Sequence, residues 1–264
     1  MASQVYSSDL SDRAWEIVKD LFLVNHGPGR PLELDLRQIV NAILYMVRTG
    51  CQWRALPKEY PNWSSVYYHF RKWCKDGTWQ QINTALRKME RQRLGRNEDP
   101  SAGIIDTQSA KTTEAGGERG YDAAKKLNGR KRHIVVDTLG NLLIAIVHAT
   151  SIQDFHGAKL VLPQLVEIVS TLRLIWANGI YKNRGLVEWV HETLNLILEI
   201  VEREPDQVGF QVLPRRWVVL RTFGWLGRYR RLSKDYECLT ECSEGMIYVA
   251  SISTMAKRMA RAAC

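Results

Sequence analysis

The first third of the chain carries apolar residues at helical spacing. Leu10, Ala14, Ile17, Val18 and Leu21 predict a helix over 9–24, with Asp9 or Ser11 as its cap. The segment Gly27-Pro28-Gly29-Arg30-Pro31 breaks that period and reads as a connector. A Gly-Arg-Pro core also suits an AT-rich minor groove, but the arginines that would flank it are missing here. The stripe Leu36, Ile39, Val40, Ile43, Leu44 and Val47 predicts a second helix over 34–48, ended by Gly50. A turn at 53–57 follows, then a helix from Ser64 or Ser65 to about Lys75. A helix, a Gly/Pro turn and a basic aromatic helix make a helix-turn-helix pattern. Its Tyr67, His69, Arg71 and Lys72 are candidates for DNA contact; the competing reading is a core of Val66, Phe70 and Trp73 under merely solvated charges. A fourth helix runs from about Thr78 to Leu94, with Trp79, Ile82, Leu86 and Met89 inward.

The polar stretch 95–101 is the best domain boundary, because the period changes from helical to extended after it. Residues 103–106 read as a short buried strand ending in Asp106, followed by a polar, Lys- and Gly-rich stretch over 111–129. Strands are expected over 131–137, 142–148, 172–177 and 196–201, and helices after Asp154, over 186–192 and from about 215 onward. The resulting organisation is an all-α, helix-turn-helix-like domain over 1–97 and an α/β domain over 102–264. The strand order of the second matches that of a ribonuclease-H-like fold. His133 and His148 fall inside strand patterns and read as core or surface residues; the tryptophans at 53, 63, 73, 79, 217 and 225 read as core.

Charge changes the picture. The 264 residues carry a formal net charge of +9, which favours a polyanionic partner, most commonly nucleic acid. Five widely spaced cysteines complete neither a disulfide framework nor a zinc site, which fits a reduced, cytoplasmic setting. The Met1-Ala2-Ser3-Gln4 opening has no apolar signal core, and no run of apolar residues is long enough to span a membrane, so secretion and membrane insertion are not expected.

A carboxylate at a strand end sits where ligands approach an α/β sheet. Phosphodiester cleavage by a metal pair needs several such groups, because hard divalent cations take oxygen ligands from two or three acidic side chains. Asp106 alone does not suffice.

The words Arg48-Thr49-Gly50-Cys51-Gln52-Trp53-Arg54, Gly103-Ile104-Ile105-Asp106, Arg119-Gly120-Tyr121-Asp122, Gly129-Arg130-Lys131-Arg132-His133 and Trp225-Leu226-Gly227-Arg228-Tyr229-Arg230-Arg231 occur in this order. In these words the chain resembles the insertion-sequence transposases of the IS5 kind. That resemblance implies a ribonuclease-H-like fold, a catalytic centre of two aspartates and a glutamate, and Mg2+ as cofactor. It further implies double-stranded DNA as partner, at terminal inverted repeats and at a target, a homo-oligomer on DNA, and a place in the bacterial cytoplasm at the nucleoid. The implied chemistry is attack of water at the element's end, then attack of the freed 3′-hydroxyl on target DNA.

Carried over by position, the first aspartate falls on Asp106. The second lies in a word usually written Trp-Ala-Asp-Gly-Gly-Tyr, here Trp176-Ala177-Asn178-Gly179-Ile180-Tyr181. The glutamate falls on Leu220, before Arg221-Thr222-Phe223. An amide is a poor ligand for a hard cation and leucine is none, so the expectation is a DNA binder with impaired cleavage. The DNA-contact set is Arg130, Lys131, Arg132, Arg216, Arg221, Arg228, Arg230 and Arg231, beside the four residues of the N-terminal helix. Two alternatives stay open: an active transposase with a substitute ligand among Asp137, Asp154 and Glu237, or a repressor or otherwise recruited DNA binder. A purely structural protein fits the arginine-rich C-terminal region poorly.

Overall fold

The computed structural model describes residues 6–23, 35–114, 116–202 and 215–262. The connector expected at 27–31 lies outside them. Four helices come first: α1 (Asp12–Leu23), α2 (Leu36–Thr49), α3 (Trp63–Lys75) and α4 (Thr78–Arg93). Their starts follow capping chemistry. Ser11 Oγ accepts the Ala14 N–H ahead of α1, and Asp35 accepts the Arg37 N–H at the start of α2. Asn62 rather than Ser64 or Ser65 caps α3, accepting the Ser64 N–H at 2.9 Å. Gly50 closes α2 in the left-handed conformation at φ 75°. A Cβ there would also come within 3.2 Å of Arg230, so this turn is pressed against the C-terminal part of the chain.

Six strands form one mixed sheet: β1 (Ala102–Lys111), β2 (Gly120–Asp122), β3 (Leu127–Asp137), β4 (Leu142–Ala149), β5 (Leu174–Asn178) and β6 (Ile197–Val201). β3 runs antiparallel to β1 and β4; β5 is parallel to β1, and β6 to β5. The short β2 pairs with the start of β3. Two elements exceed the sequence expectation. β1 continues five residues past Asp106, because its polar half pairs with β3 from Thr107↔His133 to Lys111↔Gly129. The polar stretch 111–129 contains β2 and the first residues of β3 for the same reason. Cross-strand hydrogen bonds need backbone, not apolar side chains, so polar strands escape a hydrophobicity pattern.

Helices cover both faces. Ile105, Val135 and Ile175 face α5 (Asp154–Ile168) and α6 (Arg184–Leu194). Their neighbours Ile104, Val136 and Trp176 face the other layer, with α1–α4, α7 (Arg216–Leu226) and α8 (Thr240–Ala262). α8 lies in the middle of that second layer, against α1, α2, α3, α4 and β4. The change from helix to strand falls at 94–102 as expected, yet one buried core runs across it from Leu10 to Ala260. The connector itself is held down: Arg87 pairs with Asp99 at 2.9 Å, and Arg91 Nε donates to Asn97 O at 2.7 Å. Among the described residues no helix is long and apolar enough to cross a membrane.

Candidate active site and basic surface

β1 and β5 are parallel neighbours paired up to Ile104↔Trp176, so mid-β1 lies level with the C-terminal end of β5. Asp106 and Asn178 meet there: Asn178 Nδ2 donates to Asp106 Oδ1 at 3.1 Å. The same oxygen accepts the Thr107 N–H at 2.8 Å. Asn178 Oδ1 is engaged in turn by the Ile180 N–H at 2.8 Å, which fixes the amide orientation. Burial pushes the Asp106 carboxyl above its ordinary value; the Thr107 N–H and the Arg216 guanidinium pull it back down, while Asp154 adds to the rise. The third position lies on α7. Leu220 is one helical turn beyond Arg216 on the same face, and its side chain is 51% exposed. Trp217, expected in the core, is also exposed, beside Arg221 at 4.4 Å.

The candidate substitute ligands are all engaged by cations or backbone. Asp137 is buried, pairs with Arg91 at 2.9 Å and accepts the Leu139 and Asn141 N–H groups of its turn. Asp154 pairs with Lys131 at 2.7 Å; it is the first residue of α5, while the cap position belongs to Gln153. Glu237 receives Arg231 at 2.7 Å. Among the described residues no three His, Cys, Asp or Glu side chains come together as a metal site. One carboxylate, one amide that already donates to it and one leucine do not fit a two-metal centre.

The basic residues divide sharply. Arg130, Lys131 and Arg132, expected at a DNA surface, are inside the protein. β3 is flanked by β1 and β4 and covered on both faces, so its side chains go alternately into the two layers. Arg130 donates to Asp235, to the Glu118, Glu237 and Cys238 carbonyls and to Ser243. Arg132 donates to the Leu232 and Lys234 carbonyls. Arg231 is buried on Glu237. His69 is buried against Trp73, and Arg71 is held by Glu241 at 2.8 Å and by the Cys242 Sγ. Burial and internal partners take these six away from a surface role. Tyr67, Lys72, Arg228 and Arg230 are exposed, and Arg216 and Arg221 half-buried.

Sequence reasoning missed a buried polar chain behind Asp106. His148 Nδ1 lies 3.0 Å from the Ala149 carbonyl, which can only accept, so Nδ1 carries the proton. Burial lowers the pKa of both histidines, keeping them neutral. His148 Nε2 therefore accepts from His133 Nδ1 at 3.4 Å, and His133 Nε2 accepts from the Tyr181 hydroxyl at 2.7 Å. Gly157 of α5 makes room: a Cβ there would lie 2.6 Å from His133 Nδ1. The available signal was the strand period itself, which puts His133 and Lys131 on one face and Arg130 and Arg132 on the other.

Comparison with known proteins bears on this geometry. Residues 97–255 match the family described as "Transposase DDE domain". The chain belongs to that family. Residues 10–83 match a second family, described as "Putative transposase of IS4/5 family". The chain is 27% identical over 118 residues to the "Insertion element IS402 uncharacterized 16.2 kDa protein" of Burkholderia cepacia, covering 42% of this chain and 78% of that protein. No solved structure matches it. Transposases of this family generally use a divalent metal; in this chain Asn178 donates to Asp106 at the edge of the sheet.

Proposed function

We propose that this transposase is a DNA-binding protein of the IS5 kind whose cleavage centre is impaired. The carrying observation is the Asn178–Asp106 hydrogen bond. Two carboxylates at that separation would repel and call for a cation or a shared proton between them. Here an amide supplies the positive end of a dipole instead, and the pair is satisfied without metal. Charge balance around Asp106 points the same way: Arg216 acts on it, while the nearby Asp154 is neutralised by Lys131. Mg2+, expected for the family, finds one carboxylate here, and Asp137, Asp154 and Glu237 have their own cations.

The strand directions and the β3-β1-β5-β6 order, with β4 outside β3, support a ribonuclease-H-like assignment for 102–264. The packed pair α2 and α3, joined by the segment 50–62 with a short 3-10 turn at Trp53–Ala55 and presenting Tyr67 and Lys72 outward, supports a helix-turn-helix-like role for 1–97. Terminal inverted repeats and target DNA are the proposed partners, bound by a homo-oligomer at the nucleoid in the cytoplasm. The phosphate-facing set is the exposed Lys72, Arg228 and Arg230 with the half-buried Arg216 and Arg221.

The experiment uses a labelled duplex carrying the element's own end, with Mg2+ or Mn2+, and reads binding and nicking together. The unaltered chain is compared with an Asn178→Asp, Leu220→Glu double variant. Binding without nicking, with nicking only in the variant, is the expected result. Metal-dependent nicking by the unaltered chain would overturn the impaired-centre reading.

A further inference from the structure

The end of α7 opposite to Asp106 borders a cavity of about 590 Å³ between α2, α7 and α8. Arg48, Arg228, Lys257, Arg258 and Arg261 line it, and among the described residues no Asp or Glu does. Several of these cations are held in place mostly by neutral groups. Arg48 donates to the Arg228 carbonyl at 2.7 Å and lies over the Tyr229 ring. Lys257 Nζ donates to the Ser7 and Ser8 carbonyls at 3.1 and 2.9 Å. Arg258 lies over Trp225 and pairs with a carboxylate, Glu90, at 2.7 Å. The side chains of Arg228 and Arg261 are exposed. Burial, and then the charges of Arg48 and Arg261, lower the Lys257 pKa, and Asp9 opposes them; the cations are thus close enough to feel one another. Such a set is left with uncompensated repulsion that an anion relieves.

We infer that this cavity is a phosphate site for the DNA backbone, built from Arg48, Arg228, Lys257, Arg258 and Arg261. The inference rests on the DNA-binding reading above and gives it a location. Its continuity with the Asp106 end favours a strand over a free anion. Arg221 is sandwiched between Trp217 at 4.4 Å and Trp225 at 4.6 Å, and Trp225 carries Arg258 on the cavity side. From Arg216, whose charge acts on Asp106, to Trp225 at the cavity, α7 rises about 14 Å. That is about four nucleotides of one strand. A backbone lying along α7 would meet cations at both ends of the helix.

The test is titration of a fluorescent duplex of about 30 base pairs, of arbitrary sequence, over a series of KCl concentrations. The proteins are the full chain, its Arg228→Ala, Arg261→Ala double variant, the matching double Arg→Lys variant, and Lys159→Ala on the opposite layer. Melting curves confirm that each is folded. Each lost phosphate contact lowers the slope of log affinity against log salt by about 0.9. The alanine pair is expected to lower it by about 1–2 and to weaken binding about tenfold or more near 0.1 M salt. The lysine pair should keep the slope, because the point charge remains, and Lys159→Ala should change little. An unchanged slope in the alanine pair, or an equal loss in Lys159→Ala, would overturn the cavity as the site while leaving DNA binding intact. No binding by the unaltered chain would instead remove the DNA-binding reading itself.

Discussion

Replacing Asn178 with Asp changes one atom type at a point where the structure is explicit. The amide nitrogen that donates to Asp106 Oδ1 at 3.1 Å becomes a second carboxylate oxygen. At an effective dielectric of about 20, two unit charges that close repel by about 5 kcal/mol. The lost hydrogen bond to a charged acceptor adds about 1.5–3 kcal/mol. Two relaxations reduce this: position 178 is only half-buried, so its side chain can swing toward water, and the pair can retain one proton. The turn survives, since Asp still accepts the Ile180 N–H. The expected outcome at pH 8 in EDTA is a loss of about 2–4 kcal/mol. For a chain of this size that lowers the melting temperature by about 5–15 °C. Adding about 10 mM MgCl2 should restore most of the loss in the variant and move the unaltered protein by little, because only the variant holds two adjacent carboxylates. Differential scanning calorimetry with and without MgCl2 checks both. A variant that melts with the unaltered protein in EDTA would refute the direct contact. An unaltered protein that gains as much from Mg2+ would refute the impaired centre.

Three further outcomes follow from buried groups. Glu244 accepts the Val147 N–H at 2.8 Å, and burial pushes its carboxyl from 4.5 to about 7; the native state therefore holds the proton more tightly, and stability falls as pH rises from 4.5 to 7. Glu244→Gln keeps the acceptor, so denaturant titrations should show a gain of up to about 3 kcal/mol above pH 7 and none near pH 4, and a uniform effect across pH would count against this origin. Gly157→Ala forces a methyl against His133 and His148 and should cost about 1–3 kcal/mol in urea unfolding, with altered imidazole resonances. Arg130→Ala strands Asp235 and three carbonyls in the interior and should cost about 3–5 kcal/mol or abolish folding, where a truly surface arginine would cost under about 0.5 kcal/mol.

The helices were legible because one apolar face each is enough to announce them, as in α2. The nearness of Asp106 and Asn178 was legible in part: the word around β5 ends that strand at Asn178, but Asp106 sits midway along β1, not at its end. What pattern reading could not supply was the inside of β3. A run of Arg130, Lys131, Arg132 and His133 looks solvated, and the burial of its two arginines depends on partners about a hundred residues downstream, Asp235 and the carbonyls of 232–238. The cavity beneath α7 was hidden for a similar reason: Arg48 and Lys257 are far apart in sequence and meet only because α2 and α8 pack together.

That central position of α8 also governs how the molecule is made. Helix α1 and helix α8, separated by some two hundred residues of chain, share one core. During synthesis the four early helices and β4 emerge with their inner surface uncovered, and they wait for the final segment. Long-range closure of this kind slows folding and leaves apolar surface open to aggregation meanwhile. A premature stop before residue 240 therefore would not release a smaller DNA-binding fragment; it would leave a product for proteases. For a mobile element, point substitutions that spare this shared core can leave a folded protein behind, whereas truncations erase it.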